Sequence, residues 1–293
     1  MVTLNEYCRT RFGEKLYKRC LSTGCSCPNR DGTLDTRGCI FCSAGGSGEF
    51  SGDAALPISE QIEREKRRVA EKFHGSRYIA YFQSYSNTYA PVEQLEPLFQ
   101  EAAAREDIAV LSIATRPDCL GPEILSMLER LQRQKPVWVE LGLQTIHPRT
   151  AAYIRRGYAL PVFDEAVRHL KALGISPIVH LILGLPGETE EDMLESVRYV
   201  ACSGAEGIKL QLLQVLEGTD LAADWRAGMF SPMTLDAYTE LIVKCVALLP
   251  PDLVVHRLTG DGPKRLLLAP DWCGNKKLVI NRLHSALKNA QLC

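Results

Sequence analysis

Between residues 78 and 215 short apolar runs alternate with amphipathic stretches of helical period. The runs are 78–83 (YIAYFQ), 108–114 (IAVLSIA), 137–143 (VWVELGL), 177–183 (PIVHLIL) and 207–215 (GIKLQLLQV), and the helical stretches between them are 91–105, 122–134, 161–173 and 190–202. Strands this continuously apolar have no water-facing side, which predicts a parallel sheet covered on both faces by helices. An earlier run, 15–21 (KLYKRCL), makes a sixth strand, and the stretch 58–73 behind Pro57, with Ile62, Val69 and Phe73 on one side, reads as the first helix. A closed barrel needs eight such units and about 250 residues. Six units ending near residue 215 instead predict an open α/β fold, a partial (β/α)6 TIM-like barrel.

The remainder reads as a C-terminal α/β extension: a helix at 234–249, a strand-like 253–258 and a closing helix at 275–288, covering one edge or the barrel mouth. No repeat, low-complexity tract or Pro/Gly/Ser linker divides the chain. Residues 1–220 are therefore read as the barrel, with an N-terminal loop at 24–50, and 221–293 as an extension packed on it rather than an independent domain.

That loop, GCSCPNRDGTLDTRGCIFCSAGGSGEF, has no helix or strand period, is rich in glycine and holds four of the eleven cysteines. Eleven residues separate Cys27 from Cys39 and two separate Cys39 from Cys42, so three thiolates can converge on one centre. Structural zinc and electron-transfer clusters usually take four protein ligands; three leave one metal position open, which implies catalysis. Glycines let the backbone wrap closely around such a centre. The bland alternatives are a zinc site or unrelated buried thiols. Cys25 reads as a small hydrophobe rather than a ligand, no tight spacing supports a second centre built with Cys8 and Cys20, and the other cysteines are scattered.

No window approaches the roughly 18 or more consecutive apolar residues of a membrane span, and the N-terminus lacks a signal-peptide core, so a cytoplasmic protein without membrane attachment is expected. In a reducing compartment clustered cysteines point to metal or catalysis. Lys plus Arg number 34 against 35 for Asp plus Glu, which excludes a globally basic nucleic-acid binder. A local cationic set (Arg155, Arg156, Lys264, Arg265, Lys276, Lys277) could still touch a polyanion.

A cysteine triad on the loop after the first strand of a six-unit partial barrel, with Phe41 just before the last cysteine, resembles the radical S-adenosylmethionine (SAM) superfamily. The spacing departs from that superfamily's commonest CxxxCxxC. It is similar to the branch of YhcC/YtqA-type proteins and, more distantly, the elongator catalytic subunit, where the triad is stretched inside CPNRDG…GGCxFCS. Here CPNRDGTLDTRGCIFCSAGGSGEF occupies 27–50, and YFQSYSNTYAP (81–91), ATRPDCL (114–120), ELGLQT (140–145), HLILGLPGET (180–189), LLQVLEGT (212–219) and HRLTGDGP (256–263) extend the likeness over essentially the full chain.

The resemblance implies a [4Fe-4S] cluster on Cys27, Cys39 and Cys42, with SAM chelating the fourth iron and an electron donor such as flavodoxin or ferredoxin driving cleavage to a 5′-deoxyadenosyl radical. Ligands of α/β sheets bind beyond the carboxyl ends of the strands, and the remaining motifs lie there. Gln83, Ser84, Asn87 and Thr88 suit the amino-acid moiety of SAM. Gly184 and Gly187 allow close backbone approach towards the adenine. Glu140 and Gln144 could bond the ribose hydroxyls, and Arg116 the SAM carboxylate or a substrate anion. His180, Arg257 and Asp261 are the catalytic candidates, with 256–263 read as a loop over the barrel mouth; a core histidine and a loop bonded to itself are the plain alternatives. For substrate, the elongator resemblance implies a tRNA wobble uridine. Two rivals remain: a radical enzyme for a small metabolite or porphyrin-like ligand, from a resemblance to oxygen-independent coproporphyrinogen oxidases, and a non-catalytic iron-sulfur or zinc scaffold.

Overall fold

The computed structural model describes residues 1–46, 48–68, 75–260 and 262–292. In chain order the elements are β1 (Val2–Thr3), α1 (Leu4–Phe12), β2 (Tyr17–Leu21), α2 (Ile58–Arg67), β3 (Tyr78–Phe82), α3 (Val92–Ala103), β4 (Ile108–Thr115), α4 (Pro122–Gln132), β5 (Val137–Gln144), α5 (Pro148–Tyr153) and α6 (Leu160–Ala172). They continue with β6 (Ser176–Leu183), α7 (Glu190–Cys202), β7 (Gly207–Leu212), β8 (Val215–Leu216), α8 (Asp220–Arg226), α9 (Leu235–Ala247), β9 (Val254–Arg257), β10 (Leu267–Ala269) and α10 (Lys276–Asn289). Val69 and Phe73, expected on the first helix, lie outside the described residues, as does Asp261.

The alternation folds as expected, into parallel strands under helices. Every residue of β3 and β4 is buried, as strands covered on both faces require. The helices seal them with one stripe each: Leu95 and Phe99 on α3, Ile124, Leu128 and Leu131 on α4, Phe163, Val167 and Leu170 on α6, Met193, Val197 and Val200 on α7. Phe82 of β3 meets Phe99 of α3 edge to face at 4.8 Å.

Among the described residues the sheet has eight strands rather than six, in the order β1-β9-β7-β6-β5-β4-β3-β2, and curls into an open half-barrel whose edge strands are β1 and β2. The extra strands come from the two ends of the chain. Val254 and Val255 of β9 pair beside Gly207 and Ile208 of β7, and β1 pairs with β9 through Val2 and Val254. The strand-like 253–258 therefore extends the sheet rather than lying over it. Helix α1 was not anticipated, although its signal is local: Thr3 and Glu6 form a capping box, and Gly13 closes the helix at φ 79°. The run 207–215 breaks after Leu212, and Val215–Leu216 pairs antiparallel with β10 as a separate ribbon.

Candidate active site

The loop after β2 folds over the carboxyl ends of the strands and closes a cavity of about 250 Å³. Nine of the residues expected from sequence line it: Cys27, Cys39, Cys42, Gln83, Arg116, Glu140, Gln144, His180 and Arg257. They come from the loop and from β3, β4, β5, β6 and β9, or from the residues just beyond them. Gly260, Gly262 and Pro263 line the same space, and the Gly262 N–H donates to Gln214 Oε1 at 2.7 Å, fixing this loop over the mouth.

Local turns hold the three cysteines. The Cys27 carbonyl accepts from the N–H groups of Arg30 and Asp31, and the Cys42 N–H donates to the Cys39 carbonyl at 2.9 Å. Arg30, not singled out from sequence, reaches across the loop to donate to the carbonyls of Cys42 (2.8 Å) and Ser43 (2.7 Å), and lies 5.9 Å from the Tyr85 ring centre. Two glycines make room for this packing. A Cβ on Gly38 (φ 76°) would sit 2.8 Å from Arg30 Nε, and one on Gly46 (φ 59°) 2.3 Å from the Tyr85 ring. Burial, followed by the neighbouring charge of Cys42, pushes the Cys39 thiol up to about 12. A thiolate there needs a positive centre to stabilise it. Arg116, whose guanidinium faces Cys27 and Cys39, donates twice to Asp118, at 2.9 and 2.7 Å.

On the opposite wall, Gln144 ends β5 beyond a register shift and takes φ 66°, a left-handed conformation that side-chain-bearing residues seldom adopt outside functional sites. Its Oε1 is buried with no hydrogen-bond partner, and Ser86 Oγ, on the same cavity, is likewise unpaired. Such atoms cost free energy unless a ligand satisfies them.

Deeper in the barrel lies a charged cluster. Glu140 Oε1 accepts from Lys18 Nζ at 2.5 Å and Ser112 Oγ at 2.6 Å; Oε2 accepts from His180 Nε2 at 2.7 Å and from Lys209 Nζ. An ionised carboxylate has about four acceptor positions, so this one is saturated. That corrects the expectation that Glu140 bonds ribose hydroxyls. Burial opposes its charge, but Lys18 and Lys209 outweigh that and hold its pKa well below the usual carboxylate range. Both ammonium groups also lie over the Tyr81 ring, at 4.4 and 4.6 Å from its centre. His180 is lowered to about 4, first by burial and then by the charge of Lys209, so it is a neutral imidazole at pH 7. With Nε2–H given to Glu140, Nδ1 is left as acceptor and Gln211 Nε2 lies 3.4 Å from it. A lysine inside the apolar run GIKLQLL was the signal for this cluster.

Five expected residues do not line the cavity. Asn87, fully buried, donates to the Phe82 and Ala114 carbonyls and accepts from Thr23, tying β3, β4 and the cysteine loop together. Thr88 bonds Thr115 Oγ1 at 2.6 Å and the Cys119 carbonyl at 2.7 Å, and buried Ser84 packs against Gly48. Gly184 and Gly187 form the turn after β6 at φ 87° and 84°. Arg156 leaves the supposed cationic face: it is 3% exposed and donates to the Thr145 carbonyl at 2.6 Å, while Arg155 pairs with Asp220. Cys8 is buried beside Ile79 and Trp138, and Cys25 packs against the main core.

An open parallel half-barrel with a cysteine loop over its carboxyl ends defines a class of barrel enzyme. The profile of the Radical SAM superfamily matches residues 33–200, and that of the Radical_SAM C-terminal domain residues 205–289. The chain is 42% identical over 287 residues to uncharacterized protein YtqA of Bacillus subtilis, covering 98% of this chain and 89% of YtqA. It is 26% identical over 168 residues to a tRNA uridine(34) acetyltransferase of Methanocaldococcus jannaschii, covering 56% of this chain and 30% of that protein. Among solved structures the archaeal Methanocaldococcus infernus Elp3 superposes with TM-score 0.68 at 19% identity, over 82% of this chain and 60% of that one, a likeness of fold. The chain belongs to the radical SAM superfamily, and it is an enzyme.

Proposed function

We propose that the protein binds a [4Fe-4S] cluster through Cys27, Cys39 and Cys42 and SAM in the adjoining cavity, and uses them to modify the wobble uridine of tRNA. The observation that carries the first part is the meeting, in one cavity, of three thiols on a glycine-fitted loop with the buried, unpaired Gln144 Oε1 and Ser86 Oγ. When bound, cluster and SAM supply one-electron cleavage to a 5′-deoxyadenosyl radical; the protein supplies position and exclusion of water.

In this reading Gln83, Gln144 and Ser86 offer hydrogen bonds to SAM, the turn at Gly184 and Gly187 supports the adenine side, and Arg116 places positive charge beside Cys27 and Cys39. Asn87 and Thr88 act by holding the strand ends in place. His180 presents a neutral Nδ1, fitted to accept a hydrogen bond from substrate; Arg257, which lines the cavity, and Asp261, which lies outside the described residues, are the other catalytic candidates. A flavodoxin or ferredoxin in the cytoplasm is the proposed electron donor. No described helix is long and apolar enough to cross a membrane. The tRNA reading is supported by the sequence relation to proteins named for tRNA uridine(34).

The reconstituted, dithionite-reduced protein is expected to release 5′-deoxyadenosine from SAM, and Cys39→Ala to abolish release and lower bound iron. Unchanged release in that variant would refute the ligand assignment. For the substrate, deleting the gene should alter the wobble-uridine nucleosides of cellular tRNA; an unaltered nucleoside profile sinks the tRNA reading.

A further inference from the structure

We propose that Asn29 is a positioning residue that sets the reduction potential of the iron-sulfur centre by donating a side-chain N–H to the Cys39 sulfur. The inference rests on the cluster reading above. Asn29 is 1% exposed, and its Nδ2 lies 3.4 Å from Cys39 Sγ and 2.6 Å from the Arg155 carbonyl oxygen. Since a carbonyl oxygen can only accept, that second contact fixes which end of the amide faces the sulfur.

The surroundings leave the amide little freedom. The Asn29 carbonyl accepts from the Gly38 N–H at 2.7 Å, one residue before Cys39, so the donor and the thiol are pinned to the same turn. On the other side Gly157 (φ 82°) leaves space for the amide: a Cβ there would come within 2.9 Å of Asn29 Oδ1. The next residue, Arg30, bonds the Cys42 carbonyl at 2.8 Å. Residues 29 and 30 thus each attend a different cysteine of the triad, an arrangement the spacing of the thiols alone does not require.

As a free thiol, Cys39 Sγ reaches the Arg155 carbonyl at 3.7 Å. As a metal-bound thiolate it has no proton and only accepts, so the Asn29 N–H becomes its side-chain partner. An added electron increases the negative charge on the ligand sulfurs, and an N–H dipole aimed at one of them favours the reduced state more than the oxidised state. Burial strengthens that dipole, because no water competes for it. Asn29 therefore raises the potential and brings the centre within reach of a one-electron donor. It does so without a net charge that would also repel the sulfonium of SAM.

The test is an EPR-monitored redox titration of the reconstituted full-length protein as wild type, Asn29→Asp and Asn29→Ala. Asp keeps the shape of Asn but, ionised, cannot donate. The expected result is a midpoint shifted to more negative potential in both variants, with a smaller reduced fraction at fixed dithionite, while iron per chain in Asn29→Asp matches wild type. An unshifted midpoint at full iron content overturns the proposal. Should the variants load poorly, pulsed EPR of the reduced wild type carrying side-chain ¹⁵N-asparagine decides: a weak nitrogen coupling supports the N–H···S contact and its absence overturns it. A wild type that binds no iron refutes the cluster reading itself and is recognised from iron content before any titration.

Discussion

One carboxylate in the barrel serves two ammonium groups, and that unequal sharing makes a quantitative prediction. Glu140 is buried completely, Lys209 has 2% of its side chain exposed, and Lys18 has 15%. Replacing Glu140 by Leu strands both lysines, and removing one partner of a buried ion pair costs about 3–5 kcal/mol. Lys209→Met leaves Glu140 still bonded to Lys18, His180 and Ser112, so the loss is nearer that of one charged hydrogen bond, about 1–3 kcal/mol. In the double variant the buried pair is gone and Lys18, on a flexible stem, can turn its charge towards water. The combined loss should therefore fall short of the sum of the two single losses by more than about 1 kcal/mol. Urea unfolding of the metal-free full chain measures this through the midpoint at an unchanged slope. Losses that add within about 0.5 kcal/mol, or a Lys209→Met loss as large as that of Glu140→Leu, would refute the reasoning.

His180 supplies a pH signature. Its folded pKa, about 4, lies below the ordinary 6.5, so the unfolded chain takes up the proton first. Stability from keeping it neutral is complete above pH 6.5 and is lost as the pH falls towards 4. The span is worth roughly 3 kcal/mol, and His180→Gln should flatten the stability profile in that window; an unchanged slope argues against the buried, neutral imidazole. We also propose that residues 221–293 are not separable from the barrel. Truncation after residue 220 removes β9, the strand between β7 and β1, and should yield a chain without cooperative unfolding by circular dichroism. A stable, cooperatively unfolding fragment would contradict that.

The periodic parts of the chain were legible because their cause is local. An apolar run and an amphipathic stripe declare strand and helix wherever they later pack, and 78–83, 108–114, 137–143 and 177–183 each fold within a residue or two of their sequence bounds. The meeting of candidate residues in one cavity was legible where one loop carries them, as with Cys27, Cys39 and Cys42. The site was misread where a side chain's partners come from distant strands. Nothing around ELGLQT reveals that Lys18, Ser112, His180 and Lys209 converge on Glu140 from four other strands. Nor does SYSNTY show that Asn87 is spent on backbone carbonyls while its neighbour Ser86 is left open to the cavity.

By itself, then, the sequence determined an open parallel α/β half-barrel and a three-thiol loop at its carboxyl ends, because periodicity and cysteine spacing act over a few residues. Only the tertiary structure decided that the chain's two ends complete the sheet, that Glu140 is saturated by its neighbours, and that Asn29 reaches the Cys39 sulfur. Those outcomes depend on which strands are paired and which side chains then share one buried space, and electrostatics and hydrogen bonding act across that space whatever the separation along the chain.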